Sequence, residues 1–471
     1  MPDKRTISII SYSASLFLVG LAGRLLYCEE TLRQLKFANL PIDLPIDLSY
    51  SIGYLTPDSH EYLALATNLL TGRFTEAISL TRPIGYPAFL ALMGTKPAVI
   101  LVAQAILLSF IPVCTFVLVN LLTRSTLVGF LAGLVSCTSP TGLAIGSLVL
   151  SDGLFSALFA ILFVALTYGA LCGSWRWITF SASLSGIATL VKPMLMFWPV
   201  ISILVYGLLV GLQPESGFLG WLKKNLTPLL ILVFIPIVIL TSWCVINYLN
   251  NGFFAISNIG SRTIRTYIAI KAEEWGKAGG RPTGAAIRKN QAEVRGRLVT
   301  LSEGERVEAL RAESFAIFAK YPKAAMLAFL DDTVENSTSG WNYFLEQLPH
   351  SQKQNGWLFI RISKLEAMVR IVTLIIISLI PFLCLITMTT APSSHNGRIF
   401  LALFAMALTL LYFVFLSGIT FWTGPRIVYP SEMVQISIIA TLLFFVRSLT
   451  YPPNRTSQLA LALKPPNQIP K

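Results

Sequence analysis

The chain has 471 residues, of which 54% are hydrophobic and only 13% are charged. The apolar residues come in long runs, without the alternation of a membrane β-barrel or the spacing of a soluble core, which indicates a polytopic helical membrane protein. The formal charge of +13 does not indicate a nucleic-acid-binding protein, because no basic stripe with interleaved aromatic residues lies on a soluble segment; the lipid bilayer, through anionic lipid, is the better partner.

We predict an all-α bundle of about ten membrane-spanning helices, each of roughly 20 residues. The predicted spans are 6–27, 98–122, 126–140, 151–171, 176–191, 194–211, 226–246, 368–389, 399–418 and 430–447. We expect the first to be a retained span and not a signal peptide, because Arg24 interrupts its end and no small-residue cleavage site follows. The six cysteines lie mostly inside apolar runs without CxxC spacing, which indicates packing residues and no disulfide.

Basic residues of the short loops predict the orientation of the spans, because such residues accumulate on the cytoplasmic side. Those that fall on one side are Lys4, Arg5, Arg124, Arg176, Lys223, Lys224, Arg398, Arg447, Arg455 and Lys464. Both termini are then cytoplasmic, and the loop 28–97 and the polar segment 247–367 lie on the other side. We divide the chain into a transmembrane module (1–246), an extracytoplasmic region (247–367), C-terminal transmembrane helices (368–447) and a proline-rich tail expected to be disordered (448–471).

The first outer loop contains the sequence TPDSHEYLALATNLLTG, which predicts a short amphipathic juxtamembrane helix at the membrane surface. Its acidic residues have two interpretations. In one, Thr56 or Asp58 caps the helix and Glu61 closes a capping box. In the other, Asp58 faces the bundle as a general base, with His60 and Glu61 as supporting residues.

A second short helix is predicted to begin in the sequence RPIGYP. Pro83 fits a first helical turn, and Gly85 permits close approach of another backbone. Arg82 precedes this helix at the water boundary, where it is either an interfacial anchor or a clamp for phosphate.

Three further charged residues, Asp152, Lys192 and Arg426, fall at the outer ends of predicted spans. An ionised side chain at the bilayer centre costs about 2.5–3.5 kcal/mol on insertion scales. We therefore expect all three to face the same aqueous rim. The alternatives are that Asp152 caps its helix after Ser151, that Lys192 extends to the interface, and that Arg426 anchors an aromatic belt.

The order of several motifs resembles that of membrane glycosyltransferases with the C-type (GT-C) fold. The first loop reads D-S-x-x-Y-x-x-x-A-x-N-L-x-x-G-x-F and then R-P-x-G-Y-P-x-F-L-A-L. The later matches are Ser151-Asp152, Gly186 to Pro193, Ile246-Asn247-Tyr248, Gly252-Phe253, Phe318 to Pro322 and Arg426 to Pro430. Over nearly its whole length the chain resembles the protein-mannosyltransferase-like enzymes and the related bacterial aminoarabinose and lipopolysaccharide-core transferases.

This resemblance implies an inverting glycosyltransferase of the bacterial inner membrane, active on the extracytoplasmic face, with a sugar on polyprenyl phosphate as donor. Phosphate is already a good leaving group, so one carboxylate suffices, in contrast to the two of glycoside hydrolysis. Asp58 would take the proton from an acceptor hydroxyl. The expected phosphate-binding residues are Arg82, Lys192 and Arg426.

Supporting roles around this reaction are expected for His60, Glu61, Asp152 and Tyr86, which are candidates to orient the acceptor. A divalent cation is a further candidate, bound by His60, Glu61 or Asp152, although the three histidines of the chain suggest no multi-histidine ligand set. The acceptor is left open among glycolipid, polysaccharide and protein.

The segment 247–367 is expected to contain two helices, at about 303–320 and 323–335, separated by Tyr321-Pro322. Its basic residues form either a solvated face or a site for an anionic acceptor. They are Arg281, Arg288, Lys289, Arg295 and Arg297. We expect the stretch from Asp331 to Trp341 to be a mobile flap, with Trp341 and Tyr343 able to stack on a sugar.

Two other functional classes compete with the enzyme. A transporter or flippase of lipid-linked glycan predicts paired repeats and ionisable residues near the middle of the membrane. A noncatalytic assembly subunit predicts that Asp58 is replaceable. No GxxxxGK[ST] loop occurs in the sequence, which speaks against an ATP-driven machine.

Overall fold

The computed structural model describes residues 4–37, 56–211, 217–298, 300–338, 368–375, 395–419 and 426–450, and every regular element within them is a helix. The helices of the first half are α1 (Lys4–Phe37), α2 (Pro57–Leu70), α3 (Phe74–Ala77), α4 (Gly85–Leu92), α5 (Pro97–Leu108), α6 (Phe110–Thr123), α7 (Thr126–Cys137), α8 (Pro140–Gly146), α9 (Ser151–Cys172), α10 (Trp175–Val191) and α11 (Trp198–Val210). Those of the second half are α12 (Gly217–Asn251), α13 (Ile259–Thr263), α14 (Ile270–Ala278), α15 (Gly284–Leu298), α16 (Glu303–Lys320), α17 (Pro322–Thr338), α18 (368–375), α19 (His395–Ser417) and α20 (Glu432–Thr450).

Six helical segments are long and apolar enough to cross a membrane. They are Thr6–Glu29, Pro97–Thr123, Ser151–Cys172, Leu219–Asn251, Ile399–Ser417 and Tyr429–Arg447. Helices α7 and α8 form a seventh candidate, bent by 54°. The prediction of a multi-pass helical membrane bundle is thereby confirmed.

The predicted number of about ten spans is not reached by these segments. The predicted spans 176–191 and 194–211 correspond to the shorter helices α10, of 17 residues, and α11, of 13 residues. The predicted span 368–389 is described only at 368–375. A bundle of ten spans therefore stays a prediction.

Helix α9 lies at the centre of the bundle. Its Phe155 and Phe159 are fully buried, and the Phe159 ring lies 4.8 Å from Phe413 of α19 and 5.2 Å from Trp198 of α11. Lipid is as apolar as these side chains, so close packing, more than exclusion of water, must stabilise such contacts. This packing fixes the first turn of α9, where Asp152 lies.

Helix α4 approaches the end of α10 more closely than a side chain would permit. A Cβ atom on Gly85 would lie 2.7 Å from the carbonyl carbon and oxygen of Leu190. The expectation that Gly85 permits close backbone approach is confirmed. The contact brings Arg82, just before α4, towards Lys192, just after α10.

Helices α16 and α17 confirm the two helices predicted in the polar segment, with Tyr321 as the residue between them. The prediction of a flap from Asp331 is wrong up to residue 338, because Asp331 and Asp332 belong to α17 and both bind the ammonium group of Lys271. Trp341 and Tyr343 lie outside the described residues, as do His350 and residues 451–471.

Among the predicted basic residues of this segment, two form ion pairs. Arg281 contacts Asp331 at 3.0 Å, and Arg297 contacts Glu313 at 3.0 Å. The side chain of Arg295 lies outside the description. The five described cysteines are free thiols, and four of them are buried.

Candidate functional site

Helix α2 begins with a capping box in which neither of its acidic side chains, Asp58 and Glu61, takes part. Thr56 is the N-cap and Pro57 follows; the Thr56 side chain accepts from the Ser59 amide, while the Ser59 hydroxyl accepts from the Thr56 amide at 2.8 Å. The alternative in which Glu61 closes the box is therefore wrong, because the helix begins too early for it. Asp58 lies in the first turn, where the helix dipole favours a negative charge.

Asp58 binds two arginines from distant parts of the chain. The Arg82 guanidinium donates to Asp58 Oδ1 at 2.6 Å and to Glu61 Oε2 at 2.7 Å. The Arg426 guanidinium donates to Asp58 Oδ2 at 3.2 Å and to Asp152 Oδ2 at 2.8 Å.

Lys192 completes this arrangement, because its ammonium group donates to Asp152 Oδ1 at 2.5 Å. We call the six residues Asp58, Glu61, Arg82, Asp152, Lys192 and Arg426 the charge network. It contains three carboxylates and three cations, so its formal charges balance. All six were predicted as site residues from the sequence, and the structure brings all six together.

The two ends of the charge network differ in access to solvent. The Asp152 side chain is fully buried, whereas the side chains of Asp58 and Glu61 are 34% and 43% exposed. Solvent therefore reaches the network from the side of Asp58 and Glu61. Asp152 binds Lys192 and Arg426 at the buried end of the network, a position that suits a residue that fixes these two cations in place.

The charges of the network control the ionisation of Asp58. Burial raises the pKa of this carboxyl, but Arg426 and Arg82 outweigh burial and lower the pKa to about 2. Burial lowers the pKa of Arg82, and the nearby Tyr62, Asp58 and Glu61 side chains more than offset it, so the pKa is raised. Asp58 is therefore ionised at neutral pH and is a weak base while both arginines hold it.

The geometry also decides between the sequence alternatives for three residues. The carboxylate of Asp152 makes no capping bond to α9 and is used by Lys192 and Arg426. The Lys192 ammonium binds Asp152, and the Arg426 guanidinium bridges two carboxylates, so both cations have partners within the protein.

A layer of buried hydrogen bonds supports the network. The Arg82 guanidinium lies 4.9 Å from the centre of the Tyr62 ring, and the Tyr62 hydroxyl is 3.1 Å from Ser151 Oγ. The Gln104 amide donates to the Leu148 carbonyl at 2.7 Å, and Ser59 Oγ donates to the next carbonyl, Val149, at 2.8 Å. These bonds fix the backbone of residues 148–149, just before α9, whose second residue is Asp152.

Sequence reasoning missed Gln104 in this layer, although a polar side chain within an apolar span is a signal in itself. The predicted supporting residue Tyr86 belongs to the same layer, because its buried hydroxyl donates to Gln104 Oε1 at 2.7 Å. Tyr86 thus lies behind the charge network and has no surface with which to orient an acceptor.

His60, the last of the four predicted supporting residues, lies on a different face of α2 from Asp58. It follows Asp58 by two positions, which places the two side chains about 200° apart around α2. His60 is buried, both ring nitrogens lack a hydrogen-bond partner, and burial lowers its pKa. Its role in orienting the acceptor stays a prediction.

The predicted divalent cation has no ready place in the network, because Asp58, Glu61 and Asp152 all bind cationic side chains. Elsewhere in the described residues, Asp331, Asp332 and Glu335 bring carboxylate oxygens within 4.8 Å of one another. Lys271 and Arg281 already bind these oxygens. A metal requirement stays a prediction.

Comparison of the chain with protein-family models gave no match, and comparison with curated proteins gave none either.

Proposed function

We propose that this chain is an inverting membrane glycosyltransferase of the C-type fold that moves a sugar from a polyprenyl-phosphate donor to an acceptor hydroxyl. The observation that supports this most is the position of Asp58, a partly exposed carboxylate held between Arg82 and Arg426. One group suited to accept a proton and two groups suited to bind phosphate lie within hydrogen-bond distance of each other. The proposal includes the predicted bundle of about ten spans, a bacterial inner membrane and an extracytoplasmic site.

Donor binding would change the partners of the arginines. A donor phosphodiester carries a negative charge that competes with Asp58 for the forked guanidinium groups of Arg82 and Arg426. As the phosphate takes these bonds, the influence that lowers the pKa of Asp58 weakens and the carboxylate becomes a stronger base. The donor thereby activates the group that deprotonates the acceptor.

The chemical step uses no other proton acceptor. The acceptor oxygen forms a bond to the anomeric carbon while its proton moves to Asp58, and the bond from the anomeric carbon to the phosphate oxygen breaks with its electron pair retained by the phosphate. The leaving polyprenyl phosphate gains a negative charge, which Arg82, Arg426 and Lys192 stabilise. Asp58 then returns its proton to water.

Sugar transfer by the purified full chain in lipid nanodiscs tests this proposal. A polyprenyl-phosphate sugar is offered with glycolipid, polysaccharide or protein acceptors, and the products are identified by mass spectrometry. We expect wild-type turnover and its loss in Asp58→Asn, with Glu61→Gln as the matched control because Glu61 also binds Arg82. Unchanged turnover in Asp58→Asn would exclude it as the base, and movement of intact donor across a vesicle bilayer would favour the flippase alternative.

A further inference from the structure

The segment that carries Arg82 lies between α3 and α4 and is not helical, so the backbone N–H and C=O groups before Arg82 lack the hydrogen-bond partners that a helix would provide. Such carbonyl groups need partners from elsewhere in the chain. The backbone N–H of Asn258 donates to the Leu80 carbonyl at 2.6 Å, and the Ser257 hydroxyl donates to the Thr81 carbonyl at 2.8 Å. The two residues directly before Arg82 are thus held by a segment far along the chain.

That second segment, residues 252–258, follows α12 and is called the connector here. Side chains of α12 bind its backbone. The side-chain amide of Asn247 donates to the backbone carbonyls of Ala255 at 2.7 Å and Ile256 at 3.3 Å. The indole of Trp243 donates to the Ile256 carbonyl at 3.0 Å.

Trp243 and Asn247 are one helical turn apart on the same face of α12. Asn247 is fully buried and Trp243 is 5% exposed. A buried amide in a membrane span is costly unless its donors are used, and both bonds of Asn247 go to this one connector. The contacts thus run without a break from α12 through residues 255–258 to residues 80–81, directly before Arg82.

We propose that Trp243 and Asn247 are positioning residues that set the guanidinium of Arg82 against Asp58 and Glu61. Neither side chain reaches the charge network, and each acts through the connector. The consequence for activity rests on the proposed function, whereas the consequence for geometry does not. Displacement of a catalytic group by about 1 Å can cost about 100-fold in rate, so a loosened connector should be visible in turnover.

The chain provides a matched control on the same helix. Asn225 is a buried asparagine of α12 that donates to the Trp221 carbonyl at 2.9 Å and accepts from the Tyr206 hydroxyl at 2.9 Å. It precedes Asn247 by 22 residues, about 33 Å along a helix at 1.5 Å per residue. Asn225→Ala should therefore lower the melting temperature as Asn247→Ala does, without moving Arg82.

Hydrogen exchange tests the geometry independently of any activity. In the full-length protein in nanodiscs, peptides that contain the backbone N–H of Asn258 should exchange about tenfold faster or more in Asn247→Ala than in wild type, because the connector loses the two bonds from Asn247 and keeps only the one from Trp243. Trp243→Phe keeps an aromatic ring and removes one bond, so it should give a smaller increase. Asn225→Ala should leave these peptides unchanged. Equal exchange in Asn247→Ala and wild type would overturn the proposal.

Sugar transfer tests the functional consequence. We expect kcat/KM to fall about 10- to 100-fold in Asn247→Ala and to remain within about twofold of wild type in Asn225→Ala. In an Arg82→Ala background, Asn247→Ala should add little further loss, because the group that it positions is gone. Fully additive losses would overturn the positioning role. Faster exchange in Asn247→Ala combined with no transfer by wild type would instead refute the proposed function and leave the positioning of Arg82 supported.

Discussion

Replacement of Asp58 by asparagine should strengthen donor binding while it slows turnover. Asparagine keeps the size of the side chain and removes the negative charge that binds Arg82 at 2.6 Å and Arg426 at 3.2 Å. Both guanidinium groups then become more available to the donor phosphate. Binding and chemistry should therefore change in opposite directions, which general damage to the fold would not produce.

The size of the binding effect follows from the ionisation of Asp58. Burial alone would raise its pKa, but Arg426 and Arg82 lower it from 3.8 to about 2. At about 1.4 kcal/mol for each tenfold change in proton affinity, this corresponds to roughly 2.5 kcal/mol. Because 34% of the side chain is exposed, water screens the pair and we expect about 1 kcal/mol, or about fivefold tighter donor binding. Loss of the base should lower kcat by about 100- to 10,000-fold.

The assay titrates purified protein in nanodiscs with a polyprenyl-phosphate sugar and measures the donor Kd and the rate of sugar transfer separately. Glu61→Gln is the control, because it also removes a partner of Arg82 and leaves Asp58 in place. We expect Glu61→Gln to change kcat by less than about tenfold. Weaker donor binding by Asp58→Asn, or an unchanged kcat, would refute the assignment of the base.

Three further perturbations test other parts of the site. Asp152→Asn should destabilise the protein by about 3–5 kcal/mol, because it leaves two cations without their fully buried partner; an unchanged melting temperature would contradict this. Gly85→Ala should cost about 1–3 kcal/mol and lower activity, because its Cβ would meet the Leu190 backbone at 2.7 Å, whereas Gly260→Ala meets no atom within 4 Å and should be neutral in the same melting experiment. The folded-state pKa of Asp58 lies below its unfolded value, so its contribution to stability should persist above about pH 4 and be lost towards pH 2. Melting curves should therefore show a smaller loss of stability between about pH 4 and about pH 2 in Asp58→Asn than in wild type, and an equal loss would contradict this.

The charged members of the site were predictable because the bilayer limits where an ionised group can lie. Asp152, Lys192 and Arg426 border predicted spans, and the cost of burying them in lipid places them at span ends, where they can neutralise one another. The same reasoning could not assign roles within the cluster. Whether Asp58 or Glu61 binds Arg426 depends on where α2 begins, and a shift of one residue rotates every side chain by about 100°.

The supporting residues were harder to predict because their partners are far away in sequence. The roles of Tyr86 and Gln104 follow from a hydrogen bond between two helices, and local periodicity contains no information about it. The position of His60 was within reach, since a spacing of two residues from Asp58 already places it on another face of α2. For the bundle, long apolar runs identified six spans, whereas α10 and α11 are too short for length and composition alone to decide.

The ion pairs of Arg426 can form only after the C-terminal part of the chain has been synthesised. Arg426 is 274 residues from Asp152 and 368 residues from Asp58 in sequence, and a chain that enters the membrane from its N-terminus places both carboxylates long before this arginine is synthesised. Until then, Lys192 is the one cationic partner of Asp152 among the described residues. Docking of the segment that carries Arg426 is thus the step that completes the charge network, after its other five members have been synthesised.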